Sequence, residues 1–375
     1  MKKSILTAFS LFTIVNVFAQ EASTKTEEKK SPFTFSGYVD TYFFGNLNSP
    51  KSKSNLGASG FERAFDQKVG QFQVGLVQTK MTYSTDKVDG VIDLTFGNHS
   101  DLGNYGNALG RVLVGGKEAT GTALAIKQAY LTWKATDKLS ITAGQWGTHI
   151  GYEVIDAPIN YNYSLSNLFN NGPFYHTGLK ATVVTSAKSS LTFGLLNGID
   201  SKDDNNSKLG TMAQFYISPA EGWNLYVNWV GSDEGVDAKS YYSLFDLTTS
   251  YQISDKFLLG VNAAYGSQDK LNWGGAAIYA QASLSDKFGL GVRYEYFDNK
   301  SGIRALKNRE GNGTSVNSFT ITGNVIISDN LLFKPEFRLD SYAKSKVNFA
   351  QFEDKDGKYT KDSQSTFGGA LIFKF

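Results

Sequence analysis

Apolar and polar residues alternate with a period of two along most of the chain. In FTFSGYVDTYFF, Phe33, Phe35, Gly37, Val39, Thr41 and Phe43 fall on one face, and Thr34, Ser36, Tyr38, Asp40 and Tyr42 on the other. STFGGALIFKF repeats the pattern with Phe367, Gly369, Leu371, Phe373 and Phe375. LGVRYEYF sets Leu290, Val292, Tyr294 and Tyr296 opposite Arg293 and Glu295. LFKPEFRLD sets Phe333, Phe337 and Leu339 against Lys334, Glu336, Arg338 and Asp340. Such alternation marks a strand with two unlike faces. Here the apolar face runs on from strand to strand, while the other carries charges and amides. A soluble β-sandwich has its polar face outward; this pattern predicts apolar residues outside and polar ones inside.

The pattern predicts about 16 strands of about ten residues, an even number and the length a tilted membrane strand needs. Their expected spans are 33–45, 69–83, 88–97, 123–135, 139–150, 175–185, 190–199, 208–218, 222–232, 240–252, 256–267, 272–284, 287–298, 314–327, 331–342 and 364–375. Short polar turns join them in pairs: STDK (84–87), TDK (136–138), SAKS (186–189), SPAEG (218–222), and SDK or SDN at 254–256, 285–287 and 328–330. Longer links alternate with these turns, at 46–68, 98–122, 151–174, 200–207, 233–239, 268–271, 299–313 and 343–363. Short turns at one end and long loops at the other is the layout of an antiparallel up-and-down transmembrane β-barrel, with the short turns periplasmic. Two features strain the pattern. Pro335 falls inside a strand, where it has no N–H for the ladder, so a bulge or local irregularity is expected. The span 69–83 changes phase, with Phe72, Val74 and Leu76 out of step with Val77, Thr79 and Met81.

The N-terminus sets the compartment. Lys2 and Lys3 precede an apolar run from Ile5 to Val17 and a small-residue cleavage signal at Ala19. This is a secretory signal peptide over 1–19, too short for a membrane span. A charged tail over 20–32 and a barrel over 33–375 follow. Removing two lysines from the 37 Lys plus Arg leaves 35, against 35 Asp plus Glu. The near-neutral balance argues against a nucleic-acid partner and predicts weak ion selectivity. There is no Cys, so neither disulfides nor thiol chemistry are available.

Sixteen strands leave an aqueous lumen. The expected function is passive diffusion of small hydrophilic solutes or ions, across the outer membrane of a Gram-negative bacterium. The alternative is a plugged surface-binding or structural barrel without significant conductance. Selectivity needs a constriction, and the stretch GYEVIDAPINYNYSLSNLFNNGPFYHTG (151–178) is the candidate. It is the third long loop, too aromatic for an ordinary solvated link. In general porins the third outer loop folds inward. The expected constriction residues are Glu153, Asp156, Tyr161, Tyr163, Phe169 and His176, with both carboxylates facing the water path. The expected lumen-facing charges are Asp40, Lys180, Arg293, Glu295, Lys334, Glu336, Arg338 and Asp340. Of these, Lys180, Arg293, Lys334 and Arg338 would stand across from the loop and set a transverse field.

The ordered run GQWGTHIGYEV, NYNYSLSNLF and GPFYHTG resembles the signature core of the putative β-barrel porin-2, or OmpL-like, family. FSGYVDTYFFGNLN and IKQAYLTW are similar to it too, and the likeness is clearest over 33–180. The resemblance implies a porin-like outer-membrane barrel and names no substrate.

Other chemistry finds little support. His149 and His176 flank the third loop, and no third ligand accompanies them, so they are expected to tie the loop to the wall rather than hold a metal. Ser164 or Ser166 beside His176 is a weak nucleophile arrangement, and no enzymatic role is expected. DSKDDNN (200–206) and EDKDGKYTKD (353–362) leave the calcium-loop pattern incomplete. No cofactor is expected. The expected partners are outer-membrane lipid, lipopolysaccharide and the diffusing solutes, with a homotrimer by analogy to general porins.

Overall fold

The computed structural model describes residues 31–58, 63, 65–103, 111–114, 117–120, 125–235, 239–308, 310–343 and 352–375. Side chains are described outside 101–124. The signal peptide and most of the tail lie outside the described residues. Among the described residues, no helix is long and apolar enough to cross a membrane.

Sixteen antiparallel strands close into one barrel in simple chain order, and Phe33–Asn46 pairs with the last strand, Ser363–Lys374. Closure pairs every strand on both sides, the condition for β-structure within lipid. All the expected strands are present, and Leu331–Tyr342 matches its expected span to the residue. Several ends are tighter than the pattern suggested: strands stop at Gly147 and Leu196, and one begins at Gln73.

The outer surface is apolar. Phe35, Leu131, Trp133, Phe193, Phe245, Ile278, Tyr294 and Phe367 are each at least half exposed. The residues between them face inward: Asp40, Asp93, Asp246, Arg293, Glu295, Lys334, Glu336, Arg338 and Asp340 are all buried. The face assignments made from the sequence for these strands hold.

Most of the short turns share one device. In most of them a Ser or Thr at the start accepts a backbone N–H from two or three residues on, fixing the reversal. Thr85 Oγ1 accepts from Val88 N at 3.0 Å, Thr136 Oγ1 from Leu139 N at 3.0 Å, and Ser186 Oγ from Lys188 N at 3.1 Å. One link expected among the longer ones, 268–271, is a tight turn. Asp269 and Lys270 both have positive φ, 53° and 68°, the conformation that matches hairpin twist. The outer loops also hold elements without sequence warning: a helix over Asn98–Gly103, and hairpins pairing Arg111–Val114 with Lys117–Thr120 and Phe352–Glu353 with Tyr359–Lys361.

Both strained places resolve. Pairing runs from Val39↔Val77 to Thr41↔Val74, so Gly75 and Leu76 form a bulge opposite Asp40. Leu76 N donates to Asp40 Oδ1 at 3.1 Å, stapling it. That bulge is the change of phase seen in the sequence. At Pro335 the ladder to Ser315–Ser328 is interrupted between Thr322↔Glu336 and Val325↔Phe333, then resumes in the same register. The facing residue is Gly323, where an added Cβ would lie 3.1 Å from the Pro335 ring.

Candidate functional site

The third long loop, residues 148–174, is bonded along its length to inward-facing residues of three neighbouring strands: Phe288–Asp298, Ser315–Ser328 and Leu331–Tyr342. Two carboxylates receive its N–H groups. Glu336 accepts from Tyr163 N at 2.6 Å and Ser164 N at 3.1 Å. Glu295 accepts from Asn167 N at 2.8 Å and Leu168 N at 2.7 Å, at the start of the short helix Asn167–Asn171. Ser166 caps that helix, accepting from Phe169 N at 3.0 Å.

Three cations receive its carbonyls. Arg293 Nη1 donates to Ser164 O at 2.7 Å, and Arg338 Nη1 to Leu165 O at 2.6 Å. Lys334 Nζ donates to Ala157 O at 2.7 Å and also to Asn160 O. Buried irregular backbone must satisfy its polar groups somewhere. Here the wall supplies the partners, so alternating wall charges template a loop that has almost no regular structure of its own. Asn162 and Asn167 extend the contact to Thr322 and Ser318, and Asn324 donates to Tyr161 O at 2.9 Å. Wall glycines make room for loop tyrosines: a Cβ on Gly260 would sit 2.3 Å from the Tyr152 ring, and one on Gly291 2.9 Å from Tyr161 Cβ.

This geometry corrects two expectations. Glu153 does not face water: it is 7 % exposed, ion-paired with Arg293, and accepts from Ser166 N at 2.7 Å. Arg293, Lys334 and Arg338 do not stand across from the loop; they lie against it. Asp156 meets Lys127 Nζ at 2.5 Å and Gln78 Nε2 at 2.9 Å. Lys180 is the one predicted cation with no bond to the loop, and its Nζ lies 4.7 Å from the centre of the Trp146 ring.

The aromatic residues of the loop form a core with the first two outer loops. Tyr163 packs on Tyr42 and Phe44 and donates to Asp40 Oδ1 at 3.1 Å. Phe169 packs edge-on against Phe65 and Phe174. His99, on the helix of the second loop, stacks on Tyr42. His176 bonds Thr148 Oγ1 at 2.9 Å, and His149 bonds Trp229 O at 3.0 Å, with their rings 5.3 Å apart.

Several participants escaped the sequence reading. Arg63, in the first loop, reaches Asp340 at 3.2 Å and Thr366 at 3.0 Å, and pairs with Asp66. Asp340 thus joins Arg338 and Arg63 in one buried network. Asp246 accepts from Gly151 N at 3.1 Å, Asn228 at 2.8 Å and Asn262 at 2.5 Å.

Asp200 holds the far end of the loop, accepting from Phe174 N at 2.5 Å and Tyr175 N at 3.1 Å. Burial pushes its carboxyl up to about 7, against the pull of those two N–H groups and of Arg304. An unfolded aspartate titrates near 3.9, so the folded loop favours the protonated form. Its contribution is complete below about pH 4 and is lost as pH rises through about 7, then stays flat. Amide exchange at Phe174 and Tyr175 is therefore expected to quicken from pH 4 to 7, beyond the intrinsic base catalysis. Asp200→Asn should remove that excess; the same excess in both proteins would rule out this account.

The comparisons agree with this architecture. Several solved outer-membrane proteins share the fold. The anion-selective porin from Comamonas acidovorans aligns with a TM-score of 0.57 at 10% identity, covering 92% of this chain and 99% of that one. The outer membrane channel DcaP of Acinetobacter baumannii gives 0.55 at 11%, covering 92% and 97%. A trimer form of OmpT, an outer membrane protein of Vibrio cholerae, gives 0.54 at 12%, covering 92% and 99%. At such identities the likeness is one of fold. No curated protein matches the chain.

Fold and site define a porin-like β-barrel of the Gram-negative outer membrane. The chain belongs to the family described as Putative beta-barrel porin-2, OmpL-like, whose model matches residues 32–375.

Proposed function

We propose that the protein is a passive channel for small hydrophilic solutes or ions, narrowed by the third outer loop folded into the lumen. One observation carries the reading: the bonds of the loop gather on Phe288–Asp298, Ser315–Ser328 and Leu331–Tyr342, with single ones to Lys127, Gln78, Asp40, Asp246 and Trp229, and leave one sector of the wall untouched. In that sector inward-facing polar residues keep part of their exposure, among them Thr132, Lys134, Lys180, Thr182, Gln214, Tyr216, Asn224 and Tyr226. That face is the water path, and a lumen so reduced passes small solutes. No catalytic step belongs to this reading. Contact with lipopolysaccharide and assembly as a homotrimer do, the latter by analogy of fold.

A second reading, a plugged barrel, has its own support. Inward-facing Leu196, Val230, Leu244, Phe297 and Val316 pack with Ile150, Leu168, Leu306 and Phe352 of the loops in one buried cluster. Planar bilayers separate the two. The channel reading expects small stepwise conductance from purified protein, and liposome swelling that falls as the sugar grows. A heat-modifiable, intact barrel that gives neither would favour the plug.

A further inference from the structure

Every inward-facing strand carboxylate among the described residues is engaged by the protein. Asp89 pairs with Lys134, and Asp93 with Lys127 and Gln78. Asp40 takes the bulge N–H and the Tyr163 hydroxyl. Asp246 takes two amides and Gly151 N, Glu295 and Glu336 take loop N–H groups, and Asp340 takes Arg338 and Arg63. Five inward-facing cations are likewise engaged: Lys127, Lys134, Arg293, Lys334 and Arg338.

Two cations are not. Lys80, on Gln73–Ser84, and Lys180, on Tyr175–Ser186, face inward and stay part-exposed, and neither has an ion-pair or hydrogen-bond partner among the described residues. Register fixes their direction: Lys80 pairs with Asp93, and Lys180 with Thr142, four residues before Trp146 on the same face of its strand. The Trp146 ring holds the Lys180 ammonium over its face. Its Nε1–H, a donor only, is buried and makes no hydrogen bond within the protein.

The formal charge of the chain is nearly balanced, but the charge left to a passing solute is not. The carboxylates are either buried, as Asp40, Asp246, Glu295 and Glu336 are, or paired with a cation, as Asp89 is, whereas the two part-exposed lysines present their charge to the water path. We infer that Lys80 and Lys180 give the lumen a preference for small anions, inorganic or carboxylate, with Lys180 and the Trp146 indole N–H forming the binding station. The inference rests on the channel reading.

Reversal potentials in a potassium chloride gradient, and then in potassium acetate, test it. The wild type is expected to favour chloride and acetate over potassium. A unit charge about 7 Å from an ion in water biases it roughly threefold, so Lys180→Glu and Lys80→Glu should each lower the anion preference by at least that factor. Lys180→Arg should keep it, and Lys256→Glu, on an exposed periplasmic turn, should leave it unchanged. A wild type that prefers potassium, or Lys180→Glu and Lys80→Glu variants that shift no more than Lys256→Glu, overturns the inference and leaves the channel standing. Absence of any conductance step overturns both.

Discussion

Replacing Arg293 with methionine is expected to release the third outer loop from the wall while leaving the barrel closed. Arg293 is fully buried and is bonded to Glu153, Ser164 O and Thr320. Its removal strands the buried Glu153 carboxylate and one loop carbonyl together. Breaking a buried pair from one side costs about 3–5 kcal/mol. The strand ladder does not depend on that side chain, so the loss should appear as local opening of the loop rather than as global unfolding. The chain has no cysteine, so a single Leu165→Cys substitution gives a clean probe at a buried loop position. Adding Arg293→Met should raise its thiol-labelling rate roughly 10²- to 10⁴-fold, the kinetic equivalent of that cost when labelling requires opening. Adding Glu153→Gln as well should recover part of the loss, because the stranded charge is then gone. Equal labelling with and without Arg293 would show that the pair does not hold the loop.

The same residues mark how far the sequence could be read. The barrel was legible because alternation, turn chemistry and loop length all agree. Strand faces follow from parity alone, which sets Arg293, Glu295, Lys334, Glu336, Arg338 and Asp340 on the face that the structure buries. Their roles were not legible. Parity gives a direction, while their partners are backbone atoms of a loop more than a hundred residues away in the chain. They therefore looked like free charges across a pore, when most of them are bound to the loop itself. Lys127 was hidden by an irregularity: the register shifts between Asp93 and Leu94 opposite Ile126 and Gln128, which breaks the phase that would have pointed it inward. Arg63 sits in a link without periodicity, so nothing local marks it as a wall contact. The bulge at Gly75 and Leu76 did leave a trace, the phase change itself, and the staple by Asp40 explains it.

The loop carries the central claim, and its removal has the largest expected effect on function. Deleting residues 157–170 takes away the backbone that covers Glu295, Lys334, Glu336 and Arg338, along with Tyr161, Tyr163 and Phe169. These wall charges would then meet water across a lumen that sixteen strands leave wide. Nothing deleted belongs to the strand ladder, so the barrel should still show heat-modifiable migration. Single-channel conductance of the deletion variant against the wild type in planar bilayers is the most direct measurement. If the loop narrows the lumen, conductance should rise roughly two- to fivefold, in proportion to the cross-section restored. Unchanged conductance from an intact barrel would contradict the account and move the loop out of the solute path.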